Sequence, residues 1–191
     1  MQKKIVIVAD FINEIVHEKG AFGAHNAQRI KDQKTIEKAN ELIAWARKEN
    51  ILIAHVKVGF SKNYNECSKV SPMFKQAPEY KVLELGKWAT DFHDDMDVRN
   101  EDIIITKHRI SALYGTNLEV ILRSNDISEV IICGVSTNFV IESTVRELHD
   151  RDYEVTVIAD ACNAATQESH DTSLKNLSVI SNVVNIGEFI K

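Results

Sequence analysis

The sequence predicts an α/β protein, a three-layer α/β/α sandwich around a six-stranded, mostly parallel sheet. Two observations lead there. Short unbroken runs of β-branched and other apolar residues recur along the chain, the mark of strands buried on both faces. Between most of them lie segments with helical spacing, so the strands are joined by crossovers that put helices on both faces of the sheet.

The elements follow in order. Ile5-Val-Ile-Val-Ala9 is the first strand. Within 34–49, Ile36, Ala39, Leu42, Ile43 and Ala46 share one face of a helix. Ile51 to Val56 is the second strand and Ile103 to Ile105 the third. Thr116-Asn-Leu-Glu119 predicts a capping box, opening a helix that carries Leu118, Val120, Ile121 and Leu122. Val130 to Cys133 is the fourth strand, followed by a helix from about Asn138 to His149. Val155 to Ile158 is the fifth, Thr166 caps a helix to about Leu177, and Val183 to Ile186 is the last strand. From about Gly59 to Asn100 the pattern is weakest, and both prolines, Pro72 and Pro78, lie there. Such a stretch reads either as a lid or binding loop or as a surface excursion. With no linker or repeat, the 191 residues read as one domain, 1–191.

Composition narrows the function. A net charge of −5 excludes broad, nonspecific nucleic-acid binding, which needs a basic face. No run reaches membrane-spanning length, and the apolar run behind Lys3-Lys4 is too short for a signal peptide's core. Three well-separated cysteines, with no CxxC or Cys/His metal spacing, predict reduced thiols and a cytoplasmic protein. No cofactor is expected.

Ligands of open parallel sheets bind beyond the carboxyl ends of the strands. There the first strand ends in Asp10, the third in Lys107, the fourth in Gly134-Val-Ser-Thr137 and the fifth in Asp160. An acid, an amine and a backbone-rich turn on one edge are the parts of a reactive site, though each alone also suits a structural role. Six residues after Gly134, in the first helical turn, stands Val140. That is a place for a nucleophile, because helix N-terminal N–H groups lower a thiol pKa and hold an oxyanion. Here it is filled by a hydrocarbon.

Lys107-His-Arg-Ile-Ser-Ala-Leu-Tyr-Gly-Thr116, Gly134-Val-Ser-Thr-Asn138, Glu142-Ser-Thr144 and Ala159-Asp-Ala161 closely resemble the isochorismatase-like hydrolase superfamily, over nearly the whole chain from Asp10. That resemblance implies an aspartate–lysine–cysteine triad at Asp10, Lys107 and Val140, with valine in place of the thiol. It also implies a cis peptide at Val135–Ser136, aiming the Ser136 and Val140 N–H groups at an oxyanion, and a pocket walled by Phe11, Trp88 and Thr137. None of the cysteines stands at the nucleophile's position: Cys133 is within the fourth strand, Cys162 follows the fifth, and Cys67 is in the irregular stretch. Ser136 as a substitute nucleophile is disfavoured, since family members with the cysteine carry this serine too. Relatives that bind a metal do so through histidines after the second strand; no histidine lies between His55 and His93, so no metal is expected. Arg109 reads either as a carboxylate ligand or as an inter-subunit ion pair. The resemblance implies a small-molecule substrate and a homodimer or homotetramer. Two functions stay open: a hydrolase working through Asp10 and Lys107 without a thiol, and an inactive member that binds a small molecule or acts through its oligomer surface.

Overall fold

In the computed structural model, which describes residues 3–191, six strands form one wholly parallel sheet. These are β1 (Lys3–Ala9), β2 (Leu52–Val58), β3 (Ile103–Lys107), β4 (Ile127–Val135), β5 (Glu154–Asn163) and β6 (Asn182–Val184), in the order β3-β2-β1-β4-β5-β6. Ile5 to Ala9 and Val130 to Val135 are buried throughout, as unbroken apolar runs require when both faces of a sheet are covered. The helices are α1 (Asn13–Val16), α2 (Ala27–Asp32), α3 (Thr35–Lys48), α4 (Ala77–Tyr80), α5 (Leu118–Ser124), α6 (Glu142–His149), α7 (Gln167–Leu177) and α8 (Ile186–Phe189). The α3 stripe Ile36, Ala39, Leu42, Ile43 and Ala46 is buried across β1, β2 and β5, with α8 alongside. The helix α5 packs on β4, and α6 packs on β5 beside α7.

Chain order reverses between β1 and β4. From β1 the sheet grows to β2 and β3 on one side and from β4 to β5 and β6 on the other. That switch point opens a crevice at the carboxyl ends of the two central strands. Ala9 pairs with Gly134 there, so Asp10 and the turn after β4 emerge side by side.

Four local expectations change. Thr116 and Glu119 form no capping box: the Thr116 hydroxyl donates to Ala112 O and accepts from Leu118 N, while Glu119 turns to Arg151 at 3.1 Å. The charged partner outcompetes the backbone N–H. The helix expected from Asn138 begins instead as a π-helical turn, Thr137–Ile141, before α6. β5 runs past Asp160 to Asn163. The last strand stops at Val184, because Asn185 and Glu188 make a capping box that starts α8 at Ile186. As expected, Thr166 caps α7, accepting from Ser169 N.

The stretch 59–100 is packed despite its weak pattern. Phe60, Cys67, Phe74, Ala77 and Leu83 close a second apolar cluster with Ile12 and Val58. Phe60 and Phe74 meet edge to face at 5.6 Å.

Candidate active site

A cavity of roughly 270 Å3 opens at the switch point. Asp10, Lys107, Val135, Ser136 and Val140 all line it, contributed by the ends of β1, β3 and β4 and by the π-helical turn. Asp10 leaves β1 in the left-handed region at φ 60°, and its N–H donates to Val56 O at 2.8 Å. An aspartate tolerates that conformation better than most residues with a Cβ. The bend turns its carboxylate along the strand edge, where Lys107 Nζ meets Oδ2 at 2.8 Å.

The lysine's length explains the reach. Ala9 pairs with Val56 and Val58 with Lys107, so β2 lies between the two residues. Two strand spacings are about 10 Å, a gap that a long amine and a short carboxylate bridge together. Lys107 Nζ also donates to Arg109 O at 3.1 Å. Both side chains are buried, and Asp10 Oδ1 has no hydrogen-bond partner. Burial pushes the Asp10 carboxyl above its ordinary pKa, and the Lys107 charge and hydrogen bond, with the Val58 backbone N–H, only partly oppose this.

The turn after β4 is built on a close approach. A Cβ at Gly134 would lie 2.4 Å from Ala9 O, so only glycine lets β4 pass β1 here. The Val135–Ser136 peptide that follows is cis. Phe139 and Ile141 N–H both donate to Ser136 O, at 3.2 and 3.3 Å, which winds the π turn and brings Val140 to the cavity wall. π-turns inside helices recur at functional sites.

Three residues expected in the pocket lie outside its lining. Phe11 points into the central core, because the backbone bend at Asp10 sends neighbouring side chains opposite ways. Thr137 is fully buried, with Oγ1 2.8 Å from His170 Nδ1. Trp88 is about half exposed, set edge to face on His17 at 5.0 Å. In their places stand Ile15, Phe22 and Asn26 from the segment after β1, and Met73, Phe74 and Leu83 from the stretch 59–100. Of these, only the residues of 59–100 fall in a stretch the sequence marked as a possible binding loop; Ile15, Phe22 and Asn26 lie in or beside elements too short to show a period.

The remaining candidates are engaged elsewhere. Asp160 pairs with Lys38 at 3.3 Å and accepts from Ile186 N, fastening α8 to β5. Arg109 Nη1 donates to Glu66 O and His108 O. His55 is a buried residue of β2 with Nε2 3.2 Å from Asp102, whose pair with Arg47 ties α3 to the loop before β3. None of the three cysteines lines the cavity. Burial pushes the Cys133 thiol well up and that of Cys162 to about 12, and Cys67 donates to Phe74 O. Among the described residues no group of three or more His, Cys, Asp and Glu side chains is placed to hold a metal ion, and no helix is long and apolar enough to cross a membrane.

With this geometry in place, comparison with known proteins is informative. Residues 4–187 match the isochorismatase domain family. The chain is 32% identical over 157 residues to the uncharacterized isochorismatase family protein YecD of Escherichia coli O157:H7, covering 82% of this chain and 79% of that protein. It is 26% identical over 189 residues to the ureidoacrylate amidohydrolase RutB of Acinetobacter baylyi, covering 92% and 77%. The crystal structure of an isochorismatase-like hydrolase from Alkaliphilus metalliredigens superposes with a TM-score of 0.84 at 24% identity, covering 98% of this chain and 97% of that one. At that identity the superposition speaks for the fold.

Proposed function

The chain belongs to the isochorismatase family, and we propose that it is a hydrolase of a small molecule, cleaving a C–N bond with Asp10 and Lys107 and no cysteine nucleophile. One observation carries the reading. A buried Asp10–Lys107 pair at 2.8 Å, with Asp10 Oδ1 uncommitted, faces a cavity whose wall at the helix start is Val140. The similarity to an amidohydrolase supports the choice of bond.

In this reading water replaces the thiol. Asp10 Oδ1 accepts a proton from a water as its oxygen attacks the carbonyl carbon. The Ser136 N–H stabilises the oxyanion that forms. Collapse of the tetrahedral intermediate breaks the C–N bond, and Asp10 returns the proton to the leaving nitrogen. Burial that raises the carboxyl pKa makes Asp10 a stronger base once ionised, and Lys107 keeps the ionised form accessible. A second reading draws on the same raised pKa: Asp10 as a general acid protonating a vinyl ether, whose breakdown needs no covalent intermediate.

The test is turnover on a panel of small amides, ureido compounds and vinyl ethers, with Asp10→Asn as control. Activity on one class, reduced by about 10²- to 10⁴-fold in the variant, is expected from loss of one acid–base group. Val140→Cys should add amidase activity that titrates with a thiol reagent. A folded protein that turns over nothing, with or without the cysteine, would overturn the hydrolase reading and leave a binding protein.

A further inference from the structure

The turn after β4 carries the Ser136 N–H and Val140, yet its own bonds hold it loosely. Phe139 and Ile141 N–H share one acceptor, Ser136 O, at 3.2 and 3.3 Å, and the Ser136 side chain makes no capping bond. Bonds of that length are weaker than the usual N–H···O bond of about 2.9 Å. Among the described residues, one side-chain hydrogen bond joins 136–141 to another element. It is that of Thr137, whose Oγ1 lies 2.8 Å from Nδ1 of His170 on α7.

The base of that tie is firm. Thr166 caps α7, Arg29 Nη2 donates to Gln167 Oε1 at 2.7 Å in its first turn, and Leu177 anchors its far end in the core. His170, Ser173 and Leu177 share one buried face of α7, spaced i, i+3 and i+7. A leucine is what a buried face calls for. An imidazole and a hydroxyl are not, because burying them costs free energy unless each finds a partner. Ser173 Oγ donates to Glu142 Oε2 on α6 at 3.3 Å, and His170 reaches the turn. Burial, opposed by Asp171 and helped by Arg29, holds the His170 pKa below its ordinary value, so the ring is uncharged at neutral pH. The bond to Thr137 forms in either neutral tautomer, with the ring or the hydroxyl as donor.

We propose that His170 is a positioning residue of the active site, which through Thr137 fixes the turn that presents the Ser136 and Val140 N–H groups. This rests on the reading of that turn as the oxyanion site and not on which bond is cleaved. His170 is absent from the cavity lining, so it acts on the site through the turn alone.

The probe is the thiol introduced by Val140→Cys, which reads the turn whether or not the protein is a hydrolase. N–H groups aimed at that position lower a thiol pKa and quicken its alkylation at neutral pH. The native thiols are buried, and the parent protein supplies their background rate. With iodoacetamide, adding His170→Leu or the near-isosteric Thr137→Val should slow the introduced thiol about tenfold, the change for a pKa raised by about one unit. His170→Asn, which keeps a hydrogen-bonding group near the place of Nδ1, should restore the rate to within about threefold. Ser173→Ala, on the same face of α7 but bonded to α6, should leave it within about twofold. On any substrate turned over, His170→Leu should lower kcat about 10- to 100-fold with KM within about threefold. An unactivated thiol in Val140→Cys, or a rate indifferent to His170→Leu and Thr137→Val, overturns the proposal. So does equal slowing by Ser173→Ala, or a loss that His170→Asn does not restore. The expected slowing without turnover of any substrate leaves the proposal standing and sinks the hydrolase. Turnover indifferent to both His170→Leu and Thr137→Val does the reverse.

Discussion

Asp102 and Asp10 both have side chains 4% exposed, yet they are held in opposite ways. Asp102 accepts from Arg47 Nη1 and Nη2 and from Arg99 N, each at 2.8 Å, and lies 3.2 Å from His55 Nε2. Burial pushes its carboxyl up, but these hydrogen bonds and charges outweigh it and hold the pKa below the ordinary value. Asp10 has fewer donors, Lys107 and the Val58 backbone, and has a raised pKa because burial wins. A carboxylate saturated by donors is finished as a chemical group and ties α3 to the loop before β3. One left short of donors keeps a lone pair available, at a cost in stability. Under the proposed function, that contrast separates a structural acid from a reactive one more sharply than burial does.

The largest effect that could break the contrast comes from Lys107→Met. It strands Asp10 without a counter-charge and should cost about 3–5 kcal/mol in urea denaturation at neutral pH. The sign with pH follows from the raised pKa. The protonated acid suits the buried site, so the loss should shrink as pH falls through the folded pKa and be greatest above it. Adding Asp10→Asn should bring the double variant to within about 1 kcal/mol of the parent, because neither buried charge remains. If the double variant is as weak as the single one, the pair is a structural staple like Asp102, and the comparison fails.

Asp102→Asn is expected to cost less, about 1–3 kcal/mol, since Arg47 keeps a polar partner. Its pH dependence runs the other way. A lowered folded pKa gives stability that is present above the unfolded value of about 3.9 and lost as pH falls through the folded pKa. The variant's deficit should therefore be fullest near neutral pH and vanish in acid. A deficit that stays constant from neutral pH down to strong acid would show that the ionised form is not what Arg47 holds.

How legible this was in the sequence depends on the range of the forces involved. The strands were readable because a β-branched run such as Ile5 to Ala9 declares its own burial. Asp10, Lys107, Val135, Ser136 and Val140 were readable because strand ends converge once the sheet is parallel, and all five reach the cavity. Phe11, Trp88 and Thr137 lie outside this cavity's lining, and for Phe11 the reason is the backbone bend beside it. At Asp10 that bend has φ 60°, which no periodicity encodes. Asn26, Met73 and Phe74 reach the cavity through turns whose partners are far off in sequence. The capping box expected at Thr116 is absent for a similar reason: Arg151, distant in sequence, claims Glu119.

The smallest expected effects test that last distinction within one segment. Met73 and Trp88 both belong to the stretch 59–100 and both are partly exposed, at 37% and 47%. Met73 lines the cavity and Trp88 does not. Met73→Ala removes ligand-facing hydrocarbon, so KM should rise roughly fourfold to fifteenfold, as expected for one or two lost methylene contacts. Its stability should change by no more than about 0.5 kcal/mol, because the side chain is already wet. Trp88→Ala should do the opposite. Its edge-to-face contact with His17 is worth about 0.5–1.5 kcal/mol, while kcat/KM should stay within about twofold of the parent, as for a substitution remote from the site. A Trp88→Ala protein with parental stability and a raised KM would put the indole back over the substrate and show that the stretch closes further on binding. Parental KM in both variants would remove 59–100 from the site altogether and leave recognition to the segment from Ile15 to Asn26.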